Sequence, residues 1–341
     1  MSEIKPSYES NRILLGEHLP LSTPFSIILS TSERCNFRCS YCFRSSKKDE
    51  SWGFAASEEI IGQDIFDLTV SQLSEFPEKI KTISLSGHGE PLCNSLLEHM
   101  ASKLRQAGVA EKIEMHTNAS LLTPMRALKI ASAGFTRIVV SLQGLTSEDY
   151  LRVCGAKINW DEFYRNIKIL YENKPDDLKI HIKISDAAIK QGEDEKFYDL
   201  FDNMADSLYI ENAVPLWKNV SLKSNKTVNK YGSKTTDICY CSLVFYTLLI
   251  SPGGDIYPCT RLPSPNSLGN ISDISLFQAW NSRERLEFLK EHLRLTRHGH
   301  APCAGCFIPI NTVVSQEDNI DPFKEVIWDR MMRAAFMAEM C

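Results

Sequence analysis

The stretch Phe25-Ser-Ile-Ile-Leu-Ser-Thr-Ser-Glu-Arg-Cys35-Asn-Phe-Arg-Cys39-Ser-Tyr-Cys42 joins an apolar run to three cysteines packed into eight residues. Phe25–Leu29 reads as a short buried strand. The cysteines follow where a βα unit would turn from strand to helix. In a β/α barrel, the loops after the strand C-termini form the active-site face. Thiolates hold iron–sulfur clusters, and the ordinary cluster takes four of them. Three neighbouring thiols leave one iron open, and an open position lets a metal site bind a small molecule. A partial zinc loop, or three buried structural cysteines, is the other reading of the triplet.

The rest of the composition narrows the choice. The chain's 11 cysteines are bunched: three in Cys35–Cys42, three in Cys239–Cys259, and a pair at Cys303 and Cys306. Met1–Ser10 lacks the basic stretch and apolar run of a signal peptide, so the expected location is the cytoplasm. In a reducing compartment, bunched cysteines serve metals or redox chemistry rather than disulfides. The net charge of −5 gives no support to a nucleic-acid partner. Apolar runs such as Val244–Ile250 are too short to cross a bilayer, so no membrane association is expected. A length of 341 residues allows one large domain and a smaller one.

Strand-like and helix-like segments alternate from Phe25 onward. The strands are Phe25–Leu29, Lys81–Ser86, Lys112–Thr117, Thr136–Leu142, Lys179–Ile184 and Ser207–Ile210. The helices between them are Ser57–Leu73, Ser95–Ala107, Pro124–Ala133, Asp161–Lys174 and Asp194–Met204. Six such strands argue for parallel βαβ units. A closed (β/α)8 barrel typically takes about 250 residues, so residues 22–217 fit a partial (β/α)6 barrel of the TIM type. The expected fold class is therefore α/β, with a 1–21 extension and a barrel over 22–220. A polar linker over 221–236 follows. A small domain over 237–320 comes next, built from a Gly-rich hairpin around Pro252-Gly253-Gly254 and a helix over Ser275–Leu295. A terminal helix closes the chain within 321–341.

The pattern CX3CX2C, with Tyr41 before the last cysteine, resembles the radical S-adenosylmethionine (SAM) superfamily. The resemblance implies a [4Fe–4S] cluster on Cys35, Cys39 and Cys42, with SAM on its open iron. It implies reductive cleavage of SAM to a 5′-deoxyadenosyl radical that abstracts hydrogen from a substrate. Gly87-His-Gly89-Glu90-Pro91 follows the second strand and resembles the family's GGEP segment, which binds the SAM amino group; His88 departs from it. Thr117 and Asn118 end the third strand, where relatives place a polar pair. Ser141-Leu-Gln143-Gly144 resembles the segment that binds the SAM ribose and carboxylate. Arg152 stands where relatives keep an arginine near that carboxylate, and a guanidinium fork suits a carboxylate.

The C-terminal cysteines form a second constellation. Cys241 and Cys259 flank the hairpin, and Cys303-Ala-Gly-Cys306 follows. Four such ligands suit a second [4Fe–4S] cluster or a structural zinc. The segment, with Leu268-Gly-Asn-Ile271 and Ala279-Trp-Asn-Ser282, resembles the auxiliary-cluster domains called SPASM and their shortened twitch form. Its spacing is similar to that of the twitch-type aminoglycoside dehydrogenases. That resemblance implies one auxiliary [4Fe–4S] cluster on Cys241, Cys259, Cys303 and Cys306. Cys239 competes with Cys241 for the first position.

A fully ligated cluster cannot hold substrate but can exchange an electron. Hydrogen abstraction from a carbinol carbon, then loss of a proton and an electron, gives a ketone. This is the expected reaction, on a small polar, sugar-like substrate, and the resemblance implies a flavodoxin or ferredoxin as electron donor. Lys183 and Asp186, at the end of the fifth strand, are the candidates for moving the proton. Trp217 is a candidate to stack on a sugar ring. Epimerisation is the alternative, with Cys154 on the loop after Gly144 as hydrogen donor. Peptide or protein maturation is a further alternative. An electron carrier or a zinc-stabilised binding module would need neither the Gly89-Glu90-Pro91 nor the Ser141 segment.

Overall fold

In a computed structural model the described residues are 1–8, 12–45, 57–216, 227–260, 267–300, 303–312 and 316–339. Among the described residues nine strands form one sheet: β1 (Glu3–Ile4), β2 (Ser26–Leu29), β3 (Ile80–Ser84), β4 (Ala110–Thr117), β5 (Arg137–Leu142), β6 (Lys179–Ser185), β7 (Ser207–Glu211), β8 (Thr247–Ile250) and β9 (Ile256–Tyr257). Their order is β1-β7-β6-β5-β4-β3-β2-β8-β9. Strands β2 to β7 are parallel, each beside its successor. That is the arrangement of a partial β/α barrel. Its strands read as near-continuous apolar runs because both faces are covered. Ile138, Val139 and Val140 on β5 are fully buried.

The helices are α1 (Leu15–His18), α2 (Gln63–Leu73), α3 (Leu97–Ala107), α4 (Pro124–Ala131), α5 (Ser147–Cys154), α6 (Trp160–Glu172), α7 (Asp194–Phe201), α8 (Leu243–Tyr246), α9 (Leu276–Trp280), α10 (Arg283–Gly299), α11 (Ile308–Thr312) and α12 (Lys324–Glu339). Side-chain caps fix several starts: Thr123 on α4, Thr146 on α5 and Asn159 on α6 accept main-chain N–H groups.

Four features depart from the sequence reading. Ser57–Gly62 is not helical; Glu33 N–H donates to the Glu59 carbonyl and Ile61 N–H to the Thr31 carbonyl, so this segment runs beside the cysteine loop. Residues Ser147–Cys154, read as loop, form α5, which ends at Gly155 with φ 67°. The helix expected over Ser275–Leu295 divides into α9 and α10, because Ser282 caps a new start by accepting from Arg285 N–H. The C-terminal hairpin also joins the barrel sheet: β8 lies parallel to β2 along its length, with Ser26 opposite Thr247 and Leu29 opposite Ile250. The hairpin that lies between Cys241 and Cys259 in the chain is thus placed beside the strand that leads into the first cysteine loop. Residues 221–226 of the expected linker, Trp217 and Cys341 lie outside the described residues.

Candidate active site

The cysteine loop leaves β2 and docks on the end of α5. Arg38 N–H donates to the Cys154 carbonyl at 3.0 Å and Ser40 N–H to the Val153 carbonyl at 2.9 Å. Phe37 packs edge-on against Tyr150, with ring centroids 5.8 Å apart. Cys42 N–H donates back to the Cys39 carbonyl at 2.9 Å, closing the turn that gathers the thiols. Burial pushes the Cys35 thiol up to about 11. Cys39 is raised too, first by its hydrogen bond with the Cys154 thiol and then by burial. Thiols held so high become thiolates only beside a cation, and a bound metal deprotonates them outright.

The Gly87–Pro91 segment lies against that loop. A Cβ on Gly87 would stand 1.8 Å from Ser30 Oγ, and one on Gly89 2.4 Å from the Arg34 carbonyl oxygen. Both glycines are therefore dictated by close approach. Glu90 is buried, and its carboxylate accepts from Leu92 N–H at 3.0 Å, Thr117 hydroxyl at 2.5 Å and Asn118 N–H at 2.7 Å. Burial raises its pKa despite those bonds. Pro91 opens a buried 3-10 turn beneath it. Thr117 and Asn118 thus act on Glu90, while Asn118 Nδ2 also donates to Asn36 in the cysteine loop at 3.0 Å. His88 bridges outward: its Nε2 lies 2.8 Å from the Thr260 carbonyl, next to Cys259, and its Nδ1 3.5 Å from Glu33.

A cavity of about 210 Å³ opens at the strand ends, lined by Tyr41, Ser141, Gln143, Lys183, Glu211 and Lys230 among others. Tyr41 hydroxyl donates to the Gln143 amide oxygen. Four of the residues singled out from sequence, Tyr41, Ser141, Gln143 and Lys183, therefore meet here. The carboxylate beside Lys183 is Glu211, at 2.8 Å, and Lys230 Nζ lies 3.3 Å from its other oxygen. Burial works against the Glu211 charge, but the two ammoniums hold it down at about 2. Burial also lowers Lys183. Sequence reasoning gave neither Glu211 nor Lys230 a role in the site. Only their position after a strand and in a polar run could have flagged them.

Three expected site residues lie elsewhere. Asp186 accepts from Ala213 N–H at 2.6 Å and so shapes the turn after β6. Arg152, half exposed on α5, pairs with the buried Asp149 at 3.1 Å. Cys154, the last residue of α5, is buried with its thiol donating to the Tyr150 carbonyl at 2.9 Å and hydrogen-bonded with the Cys39 thiol. None of the three lines the cavity.

Cys241, Cys259 and Cys303 are buried and Cys306 half-buried. Burial, then the charges of Cys259, Cys303 and Cys306, raise the Cys241 thiol well above its usual range. Cys239 instead faces Asp321, Asp237 and Arg297, and its N–H donates to Asp321 at 2.8 Å. Zinc at about 2.3 Å from each thiolate draws tetrahedral sulfurs to about 3.8 Å apart. Among the described residues, the one trio of His, Cys, Asp or Glu ligand atoms all within 4.8 Å is His292, His300 and Cys303.

Residues 29–184 match the family model of the radical SAM superfamily, and residues 239–307 that of the SPASM iron-sulfur cluster-binding domain. Curated relatives include a GTP 3′,8-cyclase from Cyanothece sp. (strain PCC 7425 / ATCC 29141), 30% identical over 158 residues, 46% of each chain. Another, from Staphylococcus haemolyticus (strain JCSC1435), is 26% identical over 179 residues, 52% of this chain and 50% of the relative. The chain spans about half the length of the curated relatives it matches. Among solved structures, BtrN with AdoMet and 2-DOIA aligns over 86% of this chain and 97% of its own, at TM-score 0.52 and 17% identity. SuiB from Streptococcus suis with S-adenosylmethionine aligns over 91% of this chain and 79% of its own, at TM-score 0.61 and 16% identity. These likenesses show the shared fold. No described helix is long and apolar enough to cross a membrane.

Proposed function

For a chain that carries a radical SAM domain followed by a SPASM iron–sulfur domain, we propose oxidation of a carbinol carbon to a ketone on a small, polar, sugar-like substrate. Cys35, Cys39 and Cys42 hold the SAM-binding [4Fe–4S] cluster, and Cys241, Cys259, Cys303 and Cys306 hold the auxiliary one. When bound, these groups and SAM would supply a 5′-deoxyadenosyl radical that takes the carbinol hydrogen and an acceptor for the electron left on the substrate, with a flavodoxin- or ferredoxin-class protein as the electron donor for SAM cleavage.

The chain's own residues do the rest. Gly87 and Gly89 let the segment pack closely on the loop after β2, and Thr117 and Asn118 hold the Glu90 carboxylate in place. Tyr41, Ser141 and Gln143 present hydroxyl and amide groups to ribose and substrate. Lys183, in its neutral amine form, takes the hydroxyl proton. The observation that carries this role is the shared carboxylate: two ammoniums sit on one Glu211. With both lysines protonated the trio carries one net positive charge; when Lys183 gives up its proton, Lys230 still pairs with Glu211 and the trio is neutral. The cavity volume, below the range usual for drug-sized ligands, suits a small molecule.

The test follows the hydrogens. Reconstituted enzyme, SAM, dithionite and a panel of monosaccharides, aminocyclitols and their nucleotide conjugates are incubated without oxygen. A product lacking two hydrogens, formed together with 5′-deoxyadenosine, supports the reading. A product of unchanged mass that takes up one deuterium from D2O overturns it in favour of epimerisation.

A further inference from the structure

His292 stands on α10 with its ring fully buried. Its Nε2 accepts the main-chain N–H of Cys241 at 2.9 Å. A ring nitrogen that accepts carries no proton, so the neutral imidazole keeps its single proton on Nδ1. That Nδ1 has no hydrogen-bond partner among the described residues. A buried N–H donor without an acceptor is costly and rare, and it calls for a missing partner. Tyr240 and Phe245 flank the ring edge-on, with centroids 6.4 and 6.1 Å away, and hold it in place.

The ring also stands close to the thiols. One ring nitrogen of His292, one of His300 and the Cys303 sulfur all lie within 4.8 Å of one another. His300 is buried as well, and its Nδ1 stands 3.3 Å from Cys303 Sγ, the distance of an N–H···S bond. Neither histidine belongs to the cysteine spacing that marks the domain.

We propose that His292 and His300 are a tuning pair for the auxiliary cluster, donating N–H bonds to its sulfur atoms and raising its midpoint potential. This rests on Cys241, Cys259, Cys303 and Cys306 being the ligands of that cluster. An N–H···S bond withdraws negative charge from the sulfur. It therefore favours the more negative, reduced state over the oxidised one. Such a bias suits a cluster that receives an electron. The two imidazoles are positioning residues: they act through the cluster and never touch substrate.

The test uses the full chain, reconstituted with iron and sulfide, with Cys35, Cys39 and Cys42 all replaced by Ala so that the auxiliary cluster alone gives the signal. Its midpoint potential is read by EPR-monitored redox titration. His292→Phe and His300→Phe each shift the midpoint to lower potential. His292→Gln, whose amide can still donate, shifts it less. Iron and sulfide per chain stay at one cluster throughout. An unchanged midpoint in both Phe variants, with the cluster intact, overturns the proposal. So does loss of the cluster in both His292→Phe and His292→Gln, which would make the imidazole a ligand or a structural brace. Failure of the ligand assignment shows separately, as a Cys303→Ala chain that keeps its full cluster signal with both histidines in place.

Discussion

Lys183 Nζ and Glu211 Oε2 meet at 2.8 Å across the ends of two adjacent parallel strands, with their side chains only 14% and 13% exposed. The register that pairs Lys183 with Tyr209 and Ser185 with Glu211 brings both side chains to one strand-end face. Lys230 arrives from the segment after the barrel and takes the second carboxylate oxygen.

Removing the shared carboxylate leaves two buried ammoniums facing each other. Glu211→Ala should destabilise the fold by about 3–5 kcal/mol in denaturant unfolding. Glu211 falls from its ordinary 4.5 to about 2 on folding. A carboxylate depressed in this way stabilises fully above its unfolded value, and that stabilisation is lost as pH falls through the folded one. The gap between wild type and variant should thus be flat above about pH 5 and shrink between about 4.5 and 2.

Lys183 must release and take a proton, and an arginine cannot. Lys183→Gln and Lys183→Arg should both lower ketone formation by about 10²-fold or more. SAM cleavage, measured as 5′-deoxyadenosine, should persist. Restored oxidation in the Arg variant would show that charge alone is needed at this position.

The two glycines beside the cysteine loop should answer differently to a second change. Gly87→Ala clashes mainly with the Ser30 side chain, whereas Gly89→Ala meets main-chain atoms of Ser32, Glu33 and Arg34. SAM binding, measured calorimetrically on reconstituted protein, should be lost in both. Adding Ser30→Gly should recover part of it for Gly87→Ala and none for Gly89→Ala.

Cys239 and Cys241 are separated by one residue and should be separated by outcome. Cys241→Ala should drop the iron content by about four per chain, one cluster's worth. Cys239→Ala, whose neighbours are Asp321 and Arg297, should keep it.

Much of this was legible in the sequence because it depended on local pattern. The six barrel strands are apolar runs set off by helices. The Cys35–Cys42 loop and the Gly87–Pro91 segment carry their constraints in their own residue types. What escaped depends on contacts between distant segments. Glu211 and Lys230 belong to no motif, and only the strand register and the packing of residues 227–236 bring them to Lys183. The docking of β8 on β2, His88 reaching the Thr260 carbonyl, and His292 accepting from Cys241 are likewise tertiary. Helix α5 was missed because two turns are too short for a clear period, although its Thr146 cap and Gly155 stop were there to read. That miss also moved Cys154 from an open loop to a buried helix end against Cys39.

The most direct test of the two-cluster account is the iron content and SAM cleavage of anaerobically reconstituted protein, beside the Cys35→Ala, Cys39→Ala, Cys42→Ala chain. Wild type should hold about eight irons, two four-iron clusters, and release 5′-deoxyadenosine from SAM with dithionite. The triple variant should hold about four and release none. A wild-type protein that binds a single zinc and leaves SAM intact would contradict the account.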